Sequence, residues 1–133
     1  MASIRVGFFE DFKGADTLLL DVDHEGLKGL IAWLQTATSS GNGIAIRRCP
    51  GALVQSGLQV NVSRTPNDRG LVRAARTEFV WQRSEEGWAE ILDKLAAMDA
   101  GACHQYLEGP SDDVQVMASN GEYGDAWWRR HGG

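Results

Sequence analysis

His104, Tyr106 and Glu108 stand at alternate positions of one short segment, His104-Gln105-Tyr106-Leu107-Glu108. Alternate residues of an extended strand share a face, so this spacing predicts an imidazole, a phenol and a carboxylate side by side. A carboxylate beside an imidazole selects its tautomer and raises its basicity, as a general base requires. A solvated polar strand face with cross-strand contacts would carry the same residues. Cys103 and His104 with His24, His131 or Cys49 can be drawn as a zinc site, but no C-x-x-C, H-x-x-H or H-E-x-x-H spacing occurs. Cys103 would point away from His104 within a strand, so the two do not pair for nucleophilic catalysis. Gly41-Asn42-Gly43 precedes a strand rather than a helix, the wrong context for phosphate. Neither a metal nor a cofactor is expected.

Two further groups suit a partner surface. The segments Leu58-Gln59-Val60-Asn61-Val62-Ser63 and Val114-Gln115-Val116-Met117-Ala118-Ser119 turn Gln59, Asn61, Ser63, Gln115 and Ser119 away from their apolar neighbours. The end of the chain carries Glu122, Tyr123, Trp127 and Trp128 followed by Arg129 and Arg130. Trp, Tyr and Arg dominate interface hot spots, although one indole covering the core edge would explain the pair equally well.

The elements that position these residues are legible from periodicity. Asp23 is a helix N-cap ahead of Leu27, Leu30, Ile31 and Leu34, with Ser39 to Gly43 as its stop. Ser84 caps a second helix with the stripe Trp88, Ile91, Leu92, Leu95 and Met98, stopping at Gly101. Strands are expected at 4–9, 17–22, 44–47, 58–63, 71–76, 78–83, 104–108 and 114–119, and the span from Cys49 to Gly57 reads as a loop with a Pro-Gly turn.

These elements repeat. The caps Asp23 and Ser84 lie 61 positions apart (84 − 23), and at that offset Gly26 meets Gly87, Leu30 meets Ile91 and Leu34 meets Leu95. The two Gln-Val strands match at 56 instead (114 − 58), so a shorter loop in the second half closes the difference. The expectation is one α+β domain over residues 1–133, with halves of about 1–66 and 70–133. Each half is a strand-strand-helix-strand-strand unit, and the strands form a mostly antiparallel sheet, single or as two packed sheets, with two helices packed on one side. At the positions of His104, Tyr106 and Glu108 the first half has Gly43, Ala45 and Arg47, so the copies differ where the chemistry would be.

With 133 residues, 43% hydrophobic and 23% charged, the chain can build one core. Its formal net charge of −5 argues against nucleic acid, whose phosphates call for a basic face. No apolar run approaches the roughly 20 residues that span a bilayer, and Met1-Ala2-Ser3-Ile4-Arg5 does not begin a signal peptide. A cytoplasmic chain with reduced thiols follows as the expectation.

The His104-x-Tyr106-Leu107-Glu108 strand, the apolar strand after it and the Glu122-Tyr123 turn resemble a small bacterial family of immunity proteins from polymorphic toxin systems. The resemblance covers the second half only, and the first half lacks the motif. It implies a small α+β protein without enzymatic activity that binds and blocks a toxin, with His104, Tyr106, Glu108, Glu122 and Tyr123 at the matching positions. The leading expectation is therefore a non-enzymatic protein-binding module that uses these residues with Trp127 and Trp128. A small-molecule-binding protein or hydrolase centred on His104 and Glu108 is the second expectation, and a self-associating structural protein, dimeric in solution, is the third.

Overall fold

Both helices begin at the residues whose side chains can cap them. In the computed structural model, which describes residues 3–12, 14–99, 104–108 and 114–131, Asp23 precedes α1 (His24–Ala37) and Ser84 precedes α2 (Glu85–Met98). Asp23 Oδ1 accepts from Gly26 N at 2.6 Å and from Ser3 N at 3.0 Å. Ser84 Oγ accepts from Gly87 N at 3.1 Å, while Asp68 Oδ1 accepts from Ser84 N at 2.5 Å. Each cap thus satisfies orphan helix amides and ties the helix to the chain just ahead of a strand. The expected stop at Gly101 lies outside the described residues.

Ahead of α1 run β1 (Ile4–Phe12) and β2 (Ala15–Val22). After it come β3 (Ile44–Ala45), a 3-10 turn (Ile46–Arg48), β4 (Ala52–Val54) and β5 (Gln59–Arg64). In the second half β6 (Gly70–Ala75) and β7 (Glu78–Arg83) precede α2, and β8 (His104–Glu108) and β9 (Val114–Asn120) follow it. A short helix, α3 (Asp125–His131), ends the described chain. Neither β4 nor α3 was expected. β4 lies in the span read as a loop, where Ala52 to Val54 pair in parallel with Ile4 to Val6 of β1. The strand expected over 44–47 is cut short by the 3-10 turn. Among the described residues no helix is long and apolar enough to cross a membrane.

The strands form two sheets with mixed α+β character, four antiparallel pairings outnumbering three parallel ones. The five-stranded sheet has the order β4-β1-β2-β9-β8 and the four-stranded sheet β3-β5-β7-β6. Each sheet therefore joins the opening hairpin of one half to the closing strands of the other, through the parallel pairs β2–β9 and β5–β7. Leu18 faces Val116 in one sheet and Phe79 faces Val60 in the other. These two pairs stand at offsets of 61 (79 − 18) and 56 (116 − 60), the offsets at which the sequence repeats.

One core lies between the sheets. Ile4, Val6, Leu18, Leu20, Val116 and Ala118 meet Val60, Val62, Phe79 and Trp81, joined by Leu27, Leu30 and Leu34 of α1 and by Trp88, Ile91 and Leu95 of α2. Ile31 and Leu92, read as stripe residues, sit at its margin and are only partly buried. The helices reach this close because the third residue of each is glycine. A Cβ at Gly26 would lie 2.0 Å from Ser3 O, and one at Gly87 2.4 Å from Asp68 Oδ1. At Gly29, one turn into α1, a Cβ would meet nothing within 4 Å.

Gly26→Ala is therefore expected to destabilise the fold by about 1–3 kcal/mol through overpacking against backbone. Gly29→Ala should be neutral or stabilising by about 0.5–1 kcal/mol, because it only restricts the unfolded chain and favours helix. Urea denaturation of the two variants checks this, and equal stabilities would overturn the close-approach account.

Candidate functional site

β8 is the edge strand of the five-stranded sheet, held antiparallel to β9. His104 faces Ser119 and Tyr106 faces Met117, which places both side chains on the sheet's outer face. The register then shifts between Tyr106 and Glu108, and Glu108 stands opposite Val116, a core residue. This β-bulge sets Leu107 and Glu108 together against one partner and turns the carboxylate to the inner side. There Glu108 accepts from Trp81 Nε1 at 2.8 Å and, with both oxygens, from Arg83 Nη1 at 2.8 and 2.9 Å. The strict alternation expected of His104, Tyr106 and Glu108 is thus corrected: the first two share a face and the third does not. Arg83 also donates to Asp68 at 3.1 Å, so Glu108 belongs to an ion-pair group that bridges the two sheets.

On the outer face His104 finds a different carboxylate. Its Nδ1 lies 3.1 Å from Glu122 Oε1, and its ring meets that of Tyr106 edge-on, with centroids 5.7 Å apart. When Nδ1 carries the proton it donates to Glu122 and leaves Nε2 as a surface acceptor. Tyr106 is 38% exposed, and its backbone carbonyl accepts from Lys94 Nζ of α2 at 3.3 Å. His104, Tyr106 and Glu122 thus form an accessible aromatic and acidic patch on a hydrogen-bonded strand.

Tyr123 continues from Glu122 into the rings of α3. Its ring lies 4.7 Å from that of Trp127, which also meets Phe9 at 5.1 Å and His131 at 4.8 Å. Tyr123 and Trp127 are partly buried. Trp128, expected to join the partner surface, is instead 7% exposed and packs on Leu19 and Met117. Its ring crosses the sheet directly over Gly7, where a Cβ would sit 2.8 Å from the indole. Trp128 is an anchor that seats α3, and an ion pair between Arg5 and Asp125 fastens the start of that helix.

Under Trp128 lies a residue that no sequence motif marks. Asp21 is buried, and it accepts from Ser119 Oγ at 2.5 Å and from Trp128 Nε1 at 3.1 Å. Burial raises its carboxyl above the ordinary value of 3.8, against the hydrogen bonds from Ser119 and Trp128 that favour the charge. The available signal was a carboxylate at the end of the run Leu18-Leu19-Leu20, since a polar group amid apolar residues is the informative exception.

The polar strand residues differ in burial. Gln59 and Asn61 are exposed, whereas Ser63, Gln115 and Ser119 are buried, Gln115 donating to Thr17 Oγ1 at 2.9 Å. Among the described residues, those considered for zinc form no metal-binding group. Cys49 is buried, which pushes its thiol up to about 11; His24 faces Asp99 at 3.1 Å, and His131 packs on Trp127. Cys103 lies outside the described residues.

Charge is unevenly distributed. Residues 41–83, which supply all four strands of the smaller sheet and β4, hold seven arginines and two carboxylates, a net +5. The remainder, which includes the other four strands of the larger sheet and all three α-helices, holds six cations and 16 carboxylates, a net −10. The patch at His104 belongs to the acidic part.

Two substitutions separate support from surface. The side chains of Arg83 and Glu108 are 15% and 13% exposed, so Glu108→Ala leaves a mostly buried guanidinium short of its main partner and should cost about 3 kcal/mol. Tyr106→Ala should stay within about 0.5 kcal/mol of the wild type. Similar losses for both would place Tyr106 in the support instead. For Asp21 the native pKa is raised, so its contribution to stability is full below 3.8 and is lost as pH rises through the native value. Asp21→Asn keeps an acceptor for Trp128 without the charge. It should gain stability relative to the wild type as pH climbs from below 3.8 to neutrality, and a pH-independent difference in urea denaturation would contradict this.

Comparison of the chain with protein-family models, with curated proteins and with solved structures finds no match to any of them.

Proposed function

We propose that this chain is a non-enzymatic protein-binding module of the immunity kind, acting in the cytoplasm to neutralise a toxin, and that it binds through His104, Tyr106 and Glu122 with Tyr123 and Trp127 beside them. The observation that carries this reading is the exposed ring of Tyr106. It stands on a paired strand and is braced edge-on by an imidazole that is itself held by Glu122. An aromatic side chain already ordered before contact loses little entropy on binding, which is the property of an interface anchor. The acidic character of the surrounding elements suits a basic partner, as a nuclease domain would be, and favours rapid encounter with it. A hydrolase or small-molecule site built on His104 and Glu108 would need those groups together, yet Glu108 is engaged with Arg83 and Trp81.

The test is co-purification and calorimetry with the toxin domain encoded by the neighbouring reading frame. The double variant His104→Ala/Tyr106→Ala should bind at least about tenfold more weakly, or about 1.4 kcal/mol, with folding unchanged. Added salt should slow association. Undiminished affinity of the double variant removes this face from the proposal.

A further inference from the structure

Towards the opposite side of the larger sheet, where β1 runs on beyond its pairing with β4, β1 and α3 enclose an open hollow of about 480 Å³, with Phe9, Phe12, Trp127 and His131 in its walls and Glu10 and Asp11 among its lining residues. The hollow owes its composition to a local irregularity. In an unbroken strand Phe9 and Phe12 would point to opposite faces. Here the β1–β2 register shifts between them, and both rings reach Trp127, at 5.1 and 6.0 Å. Within that bulge Asp11 adopts φ 50, the one positive φ outside glycine among the described residues, and its amide donates to Asp16 Oδ1 at 2.9 Å. Aspartate tolerates this conformation better than most residues. Seating α3 requires the rings alone, but two exposed acidic residues, Glu10 and Asp11, also line the hollow beside them.

Aromatic faces and carboxylates together attract an organic cation. The ring quadrupole and the negative charge act in the same direction, and a planar guanidinium can stack on a ring while forking to a carboxylate. Arg5 and Arg129 line a different hollow, which shares Gln55 with this one. We propose that this hollow receives an arginine side chain presented by a partner protein. The site is separated from His104 by strands β2 and β9, and its test uses no protein partner, so either proposal can fail without the other.

The 133-residue chain is titrated with Nα-acetyl-arginine amide and, separately, with Nα-acetyl-citrulline amide, the neutral analogue of similar shape, while the Trp127 indole is followed by NMR. The arginine probe should shift that resonance saturably, and the citrulline probe should bind at least tenfold more weakly. Glu10→Gln/Asp11→Asn, which keeps the rings and a residue suited to the turn, should reduce the arginine probe to the level of citrulline. Equal responses to the two probes, no response from Trp127, or undiminished arginine binding by the double variant would each overturn the proposal and leave the rings as the seat of α3 alone.

Discussion

Backbone pairing of β2 with β9 and of β5 with β7 is the constraint on which the other features rest. A strand lying parallel to its neighbour needs a long crossover, so neither pairing can form within a hairpin. Each sheet is completed by the half that did not begin it. The opening hairpin of either half, standing alone, would expose one apolar face and two open edges, and a two-stranded hairpin is marginal at best in water. The shared core follows directly: Leu18, Leu20 and Val116 on one side meet Val60, Phe79 and Trp81 on the other, and α1 and α2, which touch each other, complete it. Gly26 and Gly87 are needed because each helix must start against the segment leading into the other side of its hairpin.

The two halves solve this shared problem with different chemistry. In the first, the cap carboxylate of Asp23 reaches Ser3; in the second, the carboxylate is on Asp68 and reaches the cap Ser84. The larger difference lies on the outer faces. α3 covers that of the five-stranded sheet, which holds Thr17, Leu19, Asp21, Gln115, Met117 and Ser119 in buried positions. The corresponding face of the smaller sheet leaves Gln59, Asn61 and Glu78 exposed. One helix of seven residues therefore changes a solvated sheet face into a second, small core with a hydrogen-bonded carboxylate inside it.

Polar residues in this chain take their roles from which side of a sheet they reach. Glu108 is one bulge away from standing beside Tyr106, and that bulge makes it the bridge between sheets through Arg83 and Trp81. Glu122, from the turn after β9, takes the place beside His104. A mostly buried carboxylate with a charged partner contributes to the support, whereas an exposed carboxylate beside a surface imidazole is available to a partner.

Local periodicity and capping residues determined a great deal without any tertiary information. The starts of α1 and α2, the stripes at Leu27, Leu30 and Leu34 and at Trp88, Ile91 and Leu95, and the alternating strands around Val60 and Val116 are consequences of short-range spacing. So are the offsets of 61 and 56, which reappear as strand register. Which half pairs with which, by contrast, depends on contacts beyond any local window, from 19 positions apart at Gln59 and Glu78 (78 − 59) to 98 at Thr17 and Gln115 (115 − 17). No local pattern encodes such a choice. The bulge at Leu107, the burial of Trp128 rather than Trp127, and the placing of Asp21 beneath an indole were likewise decided by packing, because each depends on what fills the space opposite. The alternation of His104, Tyr106 and Glu108 pointed to a face; the neighbouring strands and α3 decided which of those side chains it holds.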